Sequence, residues 1–389
     1  MKICIATGTR AEYGLLKPLI DQIRLTAKYE LQLLVTGAHL SPEFGLTYRL
    51  IEEDGLKINA KVEMLLSSDT SEGIVKSMGL GMIGFADALK NLQPDLIFIL
   101  GDRYEMLALA SAAVIFKIPI AHLHGGEITE GAYDDAIRHS ITKMSTLHFT
   151  STEEYRQRVI QMGEQPEMVF NVGAIGLDNI INLPLLTKEA LAESLNVSFK
   201  KYNYLVTFHP ETLSEQSVVL QFEILLDVIN KDKDGFFIFT HANADTDGRV
   251  INKMIDAFVA QNPGKAVAFT TMGQLRYLSA MKYATGVIGN SSSGIIESAS
   301  FKVPTINIGD RQKGRIYGEN VINVGVNKEE IERAFVKIKD EQYLLGLREI
   351  RNPYGIGNTS KEIMTILQKI DGFLPRNKTF YNIENEHAS

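Results

Sequence analysis

Short apolar runs recur along this chain, many of them rich in β-branched residues, and most end in a glycine or polar turn followed by a stretch with helical spacing. Residues 2–7 form the first run, end at Gly8-Thr9-Arg10, and lead into an amphipathic stretch over 11–26. The same unit recurs. Runs at 31–36, 95–100 and 118–123 end at Gly37-Ala38-His39, Gly101-Asp102-Arg103 and His124-Gly125-Gly126-Glu127, with helical stretches at 80–91 and 106–116. Runs at 147–150 and 169–172 read as further strands. Residues 183–190 read as the crossing to a second series, with strands at 204–208, 235–240, 266–270, 283–288 and 303–308, and a last helix at 361–373. Strands alternating with helices predict parallel sheets covered on both faces. The fold class is therefore α/β, with two Rossmann-like doubly wound domains at 1–182 and 183–360, and the helix at 361–373 packing back on the first.

Polar residues gather just beyond the strand ends, the edge of a parallel sheet where ligands bind. Arg10, His39, Asp102 and Glu127 occupy four such positions in the first half. The glycine-containing loop after Glu127 leads to Asp134-Asp135 and Arg138. Asp135 and Arg138 stand at i, i+3 and can share a helix face, and which of the two aspartates points inward is left open. In the second half, His209 follows one strand and Asn243 follows another. The run at 283–288 ends in GNSSSGIIES, residues 289–298. Small hydroxylated residues between a strand and a helix present backbone N–H donors and the positive end of the helix dipole, which together suit an anion. Glu297 follows where a carboxylate can accept from two vicinal hydroxyls such as those of a ribose.

Composition narrows the function. At 389 residues the chain suits two ordinary domains. A hydrophobic fraction of 45% with 22% charged residues is that of a globular protein. The formal net charge of −7 and the absence of a basic run argue against nucleic-acid binding. Cys4 is the sole cysteine, which excludes a disulfide framework and a cysteine-based zinc site. No apolar run approaches the ~20 residues of a membrane span, and the apolar part of the N-terminus is too short for a signal peptide, so a cytoplasmic location is expected. The first glycine turn lacks GxGxxG, so NAD and FAD are not indicated. His39, His122, His124 and His139 show no zinc-ligand spacing, and no metal or cofactor is expected.

The motifs GTRAEYG, HLSPEFGLTY, GDRYE, HGGE, DDAIRHSITKM, FHPETL, GNSSSGIIE and GDRQKGR occur in order over nearly the whole chain. With them the sequence resembles the hydrolysing UDP-N-acetylglucosamine 2-epimerases of bacterial sialic and legionaminic acid pathways. The HGGE stretch favours the hydrolysing over the non-hydrolysing branch, and no kinase activity of the bifunctional animal relatives is expected. The resemblance implies the GT-B architecture, with strand ends of the two domains facing across a cleft. It implies that UDP sits on Arg10, Arg103, His209, Asn243, Ser291, Ser292, Glu297 and Arg311, with backbone near Met272 meeting the uracil. Asp102, Glu127, Asp134, Asp135 and His209 would line the sugar pocket, while His39 and Arg138 are further binding candidates from their strand-end and helix-face positions. UDP would be eliminated to a 2-acetamidoglucal and water then added, with carboxylates of raised pKa shuttling protons; base and acid are not assigned among Asp102, Glu127, Asp135 and His209. The partner is a UDP-sugar, and a homodimer or homotetramer is implied. UDP-N,N′-diacetylbacillosamine as substrate, a GT-B glycosyltransferase and a non-catalytic nucleotide-sugar-binding regulator are the alternatives.

Overall fold

The computed structural model describes residues 1–66, 68, 70–211, 216–242, 247–370, 374–375 and 377–383. In the first half the order is β1 (Lys2–Thr7), α1 (Arg10–Leu25), β2 (Glu30–Thr36), α2 (Tyr48–Glu53), β3 (Ala60–Val62), α3 (Ser71–Leu92), β4 (Leu96–Leu100) and α4 (Tyr104–Ile115). It continues with β5 (Ile120–Leu123), α5 (Asp134–Met144), β6 (Leu147–Thr150), α6 (Glu153–Gln161), β7 (Val169–Asn171) and α7 (Leu177–Asn182). The second half runs α8 (Lys188–Leu195), β8 (Tyr202–Thr207), α9 (Val218–Lys231), β9 (Gly235–Thr240), α10 (Gly248–Gln261), β10 (Ala266–Phe269) and α11 (Gln274–Tyr283). It ends with β11 (Gly286–Gly289), α12 (Ser292–Ile296), β12 (Thr305–Ile308), β13 (Val321–Val324), α13 (Lys328–Lys337), α14 (Glu341–Gly346) and α15 (Thr359–Ile370).

Two parallel sheets result, one of seven strands in the order β3-β2-β1-β4-β5-β6-β7 and one of six in the order β10-β9-β8-β11-β12-β13. Their strands are nearly all apolar because helices cover both faces, and β4 (LIFIL) is buried at every position. The chain order reverses between β1 and β4 in the first sheet and between β8 and β11 in the second. Such reversals open a crevice at the carboxyl edge, and the glycine turns after β1, β4 and β11 all lie at these two points. β3 and β13 escape the sequence reading because they are short and carry exposed polar positions at the sheet edges.

The junctions after the strands are held by specific contacts. After β11, Gly289 adopts φ +126°, and a Cβ there would stand 1.9 Å from the Thr207 carbonyl oxygen, so only glycine lets β11 and β8 end side by side. The next residue, Asn290, accepts from the His209 N–H at 2.7 Å and donates to the His209 carbonyl at 2.8 Å, stapling the two strand ends together.

α15 leaves the second half and docks on the first. Ile363, Met364 and Leu367 are buried in the core that holds β1, β4 and α1, each contributing on the order of 2 kcal/mol by removal from water. Asp178, on α7, fixes the helix start by accepting from the Thr359 and Ser360 N–H groups at 2.7 Å each. The helix begins two residues before the expected 361, and 371–373 lie outside the described residues. No helix among the described residues is long and apolar enough to cross a membrane.

Candidate active site

The carboxyl edges of the two sheets enclose a cleft of about 560 Å³. From the first half Arg10, Asp102, Arg103, Glu127, Asp134 and Arg138 line it. From the second half His209, Met272, Ser291, Ser292, Glu297 and Arg311 line it. These residues are far apart in sequence and meet because each follows a strand, or starts a helix, at the same edge of its sheet.

The carboxylates on the first-half wall are held by cations. Asp102 follows the turn after β4, and the buried guanidinium of Arg138 donates to it from α5. The same guanidinium donates to the Glu127 carbonyl at 2.8 Å and to Thr129 Oγ1 at 3.1 Å. Glu127 itself is buried and triply bound. Arg315 Nη1 lies 2.6 Å from Oε2, while His124 Nδ1 at 2.9 Å and the Ser151 hydroxyl at 2.7 Å meet Oε1. Burial alone would push both carboxyls up. At Asp102, Arg138 and Arg315 outweigh burial and hold the group below its ordinary value. At Glu127, Arg315, His124 and Arg138 do the same and hold it well below the usual carboxylate range. This corrects the expectation of raised values at these residues: desolvation is present, but paired arginines overrule it.

Raised carboxyls occur elsewhere in the cleft. Burial pushes Glu297 up to about 7, and its Oε2 is buried with no hydrogen-bond partner. Burial likewise pushes Glu12 up to about 7, although it accepts from the Gly8 N–H at 2.7 Å and the Thr9 N–H at 3.2 Å.

On the opposite wall, Ser291 caps α12 and exchanges a hydroxyl contact with Ser293 at 3.1 Å, and Ser293 is bonded in turn to the Tyr277 hydroxyl. α12 has only five residues before a 3₁₀ turn. The helix expected after GNSSSG is therefore a single turn, and its dipole is smaller than that of a full helix. Arg311 donates to the Asn290 carbonyl at 3.2 Å and lies 3.5 Å from Asp134 across the cleft. Arg10 crosses in the other direction to the Thr271 hydroxyl. Met272 is buried and its carbonyl accepts from Arg276 Nε at 2.7 Å. Arg103 lies along the buried Glu105 carboxylate, with Nε and Nη2 each 3.2 Å from an oxygen.

Three candidates take other places. His39 does not line the cleft: the turn after β2 tucks its ring beneath the sheet edge, where Nε2 meets Thr7 at 3.0 Å and Nδ1 meets Thr47 at 2.8 Å. Burial pushes it down to about 4, so it is a neutral core histidine. Asp135 turns away from the cleft, accepts from the Thr129 N–H at 2.7 Å and lies 3.4 Å from His139; of the two aspartates it is Asp134 that faces the cleft. Arg138 borders the cleft but is wholly buried, with both terminal nitrogens bonded to neighbours. Asn243 lies outside the described residues. Sequence reading missed Arg315, His124 as a partner of Glu127, and Ser151. Two of these left a signal, Arg315 as the last residue of the GDRQKGR stretch and His124 as the first of HGGE. Among the described residues, no group of three or more His, Cys, Asp or Glu side chains is arranged to hold a metal ion.

Residues 21–368 match the family described as UDP-N-acetylglucosamine 2-epimerase. Among similar proteins, the chain is 46% identical to a GDP/UDP-N,N′-diacetylbacillosamine 2-epimerase (hydrolyzing) of Campylobacter jejuni, over 88% of each chain. It is 42% identical to the polysialic acid biosynthesis protein P7 of Escherichia coli, over 98% of this chain and 97% of that one. In three dimensions it superposes on a Neisseria meningitidis UDP-GlcNAc 2-epimerase bound to UDP-GlcNAc with a TM-score of 0.78. That match covers 95% of this chain and 100% of the other at 19% identity, a likeness of fold.

Proposed function

Because the chain belongs to the UDP-N-acetylglucosamine 2-epimerase family, we propose that it is a hydrolysing 2-epimerase that converts UDP-N-acetylglucosamine to N-acetylmannosamine and UDP. The observation that carries this reading is the division of one cleft into two chemistries. The second-half wall offers serine hydroxyls, Arg311 and a buried acceptor, Glu297; the first-half wall offers Asp102, Glu127 and Asp134, with Arg10 and Arg103 beside them.

In this reading UDP lies on the Ser291–Ser292 turn with Arg10, Arg103, His209, Asn243 and Arg311 about its phosphates and sugar, Glu297 accepts from the ribose hydroxyls, and backbone at Met272 meets the uracil. A base takes the proton from C2 of the sugar as the C1–O bond breaks and UDP leaves with the electron pair. Arginines oppose the charge that builds on the leaving diphosphate. Water then adds to C1 of the glycal while a proton is delivered to the opposite face of C2, which inverts that centre. Asp102 and Glu127 are held as anions by arginines on the sugar side of the cleft, Asp134 and His209 complete that set, and base and acid are not assigned among them. No cofactor enters the scheme.

The sugar admits a second reading. The Escherichia coli relative, matched along almost its whole length and named for polysialic acid, favours UDP-N-acetylglucosamine and a first step toward a sialic-type acid. The Campylobacter jejuni relative is named for diacetylbacillosamine. With Phe44, Leu65 and Leu66 as an apolar part of the lining, it favours a substrate with a methyl at C6. The same family reading carries a homodimer or homotetramer, supported by the largely exposed Ile83 on α3 and Ile115 on α4 and tested by sedimentation velocity.

Proton NMR in D₂O with each UDP-sugar in a separate tube tests the whole reading. Free UDP with a manno sugar deuterated at C2 is expected, and the faster tube names the substrate. Release of a gluco sugar that keeps its C2 proton overturns it in favour of simple hydrolysis.

A further inference from the structure

Arg315 stands out because it comes from the opposite half of the molecule to the carboxylate it binds. It is buried in the loop after β12, and its Nη1 reaches Glu127 Oε2 at 2.6 Å. The same loop meets the stretch from Glu130 to the first residue of α5 at three more points, in antiparallel order. The Glu130 N–H donates to the Lys313 carbonyl at 3.1 Å, Lys313 Nζ lies 3.3 Å from Glu130, and Arg311 lies 3.5 Å from Asp134. Between these rungs the backbones touch. A Cβ on Gly131 would stand 2.6 Å from the Asp310 carbonyl oxygen and 2.9 Å from Arg311 Cα. Every rung therefore joins the first-sheet half to the second-sheet half, and a hinge motion that opens the cleft here breaks them together.

We propose that this two-loop ladder is a closure contact of the molecule, beside the Arg10–Thr271 and Arg249–Glu43 contacts, and that Arg315 is a positioning residue which completes Glu127 only when the halves are together. Bringing the two sheets together then seats the leaving-group wall and sets the charge of Glu127 in one motion. The inference rests on the epimerase reading for the role of Glu127, but the ladder itself does not. Glu127 is faced by His124 and Ser151 from its own strand end and the next, by Arg138 of α5, by Tyr155 of α6, and by Tyr354, Asp102 and Glu297 nearby. Of the groups that oppose its burial Arg315 is the foremost, with His124 and Arg138 after it. An open cleft would leave Glu127 with the first-half partners alone.

The test uses the full chain and the UDP-sugar that the unmodified protein turns over, with R315M, R315K and G131A. R315M is expected to lower kcat about 100-fold with KM changed about threefold or less, and to move the acid limb of the kcat profile upward by about one pH unit. R315K should recover part of both. Hydrogen exchange at the Glu130 amide, which is bonded across the boundary, should slow about tenfold when UDP binds the unmodified protein and should not slow in G131A. An R315M or R315K variant with an unmoved acid limb and unchanged kcat, altered only in melting temperature or KM, makes Arg315 merely structural and overturns the inference. A Glu130 amide indifferent to UDP overturns the ladder as a closure contact. If R315M does not fold, R315K and G131A decide by the same criteria. Absence of UDP release by the unmodified protein would instead refute the epimerase reading, while the exchange measurement would still judge the ladder.

Discussion

If UDP seats its ribose on Glu297, binding must expel a proton. Glu297 is buried, its Oε2 has no hydrogen-bond partner, and burial pushes its carboxyl up to about 7. At pH 6 a group of that kind is roughly nine-tenths protonated. Two ribose hydroxyls donate more strongly to the anion than to the neutral acid, and their bonds draw the group back toward the ordinary carboxyl value of about 4.5. The carboxyl then gives up roughly 0.9 proton per UDP at pH 6 but only roughly 0.1 at pH 8, and the affinity for UDP gains about tenfold over that interval from this group alone. Titration calorimetry in buffers of different ionisation enthalpy counts the protons. The terminal phosphate of UDP ionises near pH ~6 and releases its own fraction, so the quantity that matters is the difference between the unmodified protein and E297Q. A difference near 0.9 proton is expected at pH 6. Equal proton release in the two proteins at pH 6, or equal gains in affinity between pH 6 and 8, would refute the placement of the ribose on Glu297.

Three further outcomes follow. D102N and E127Q are each expected to lower turnover by about 1000-fold or more while UDP still binds, measured by UDP release and calorimetry; normal turnover in both would remove these carboxylates from the chemistry. D178A removes two charge-assisted bonds that start α15. It should lower the unfolding free energy by about 3 kcal/mol, read from the urea midpoint, and a loss under about 1 kcal/mol would mean that α15 is held by its apolar face alone. Glu12 bears on pH: burial pushes it to about 7, above its unfolded value, so the folded state binds that proton more tightly. Its contribution to stability is therefore greatest below about pH 4.5 and falls as the pH rises toward 7, by up to about 1.4 kcal/mol per unit. Urea unfolding of E12Q between pH 5 and 7.5 should show a flatter slope than the unmodified protein, and equal slopes would show that the Glu12 proton is not retained on folding.

The sequence by itself determined the alternation of strand and helix, the two parallel sheets and the edge on which the chemistry sits. Those are local matters. A run such as LIFIL reads as a doubly covered strand because both its faces must be apolar, and the glycine turns mark where each strand ends. The motifs after β1, β4, β5 and β11 were legible for the same reason, and so was a cleft between their ends. Only the tertiary structure decided what each side chain faces. His39 and Asp102 both follow a strand, yet one ring is fixed between two threonines in the core and the other carboxylate opens on the cleft. Asp134 and Asp135 are neighbours at the start of α5, and one residue of helix rotates the side chain by about 100°, which sends the second away from the cleft. The charge states went further out of reach. Glu127 is buried and nonetheless held as an anion because Arg315 lies nearly two hundred residues on and arrives from the other sheet. Periodicity carries information over a turn or a strand, whereas an ion pair depends on positions that only the packed chain brings together.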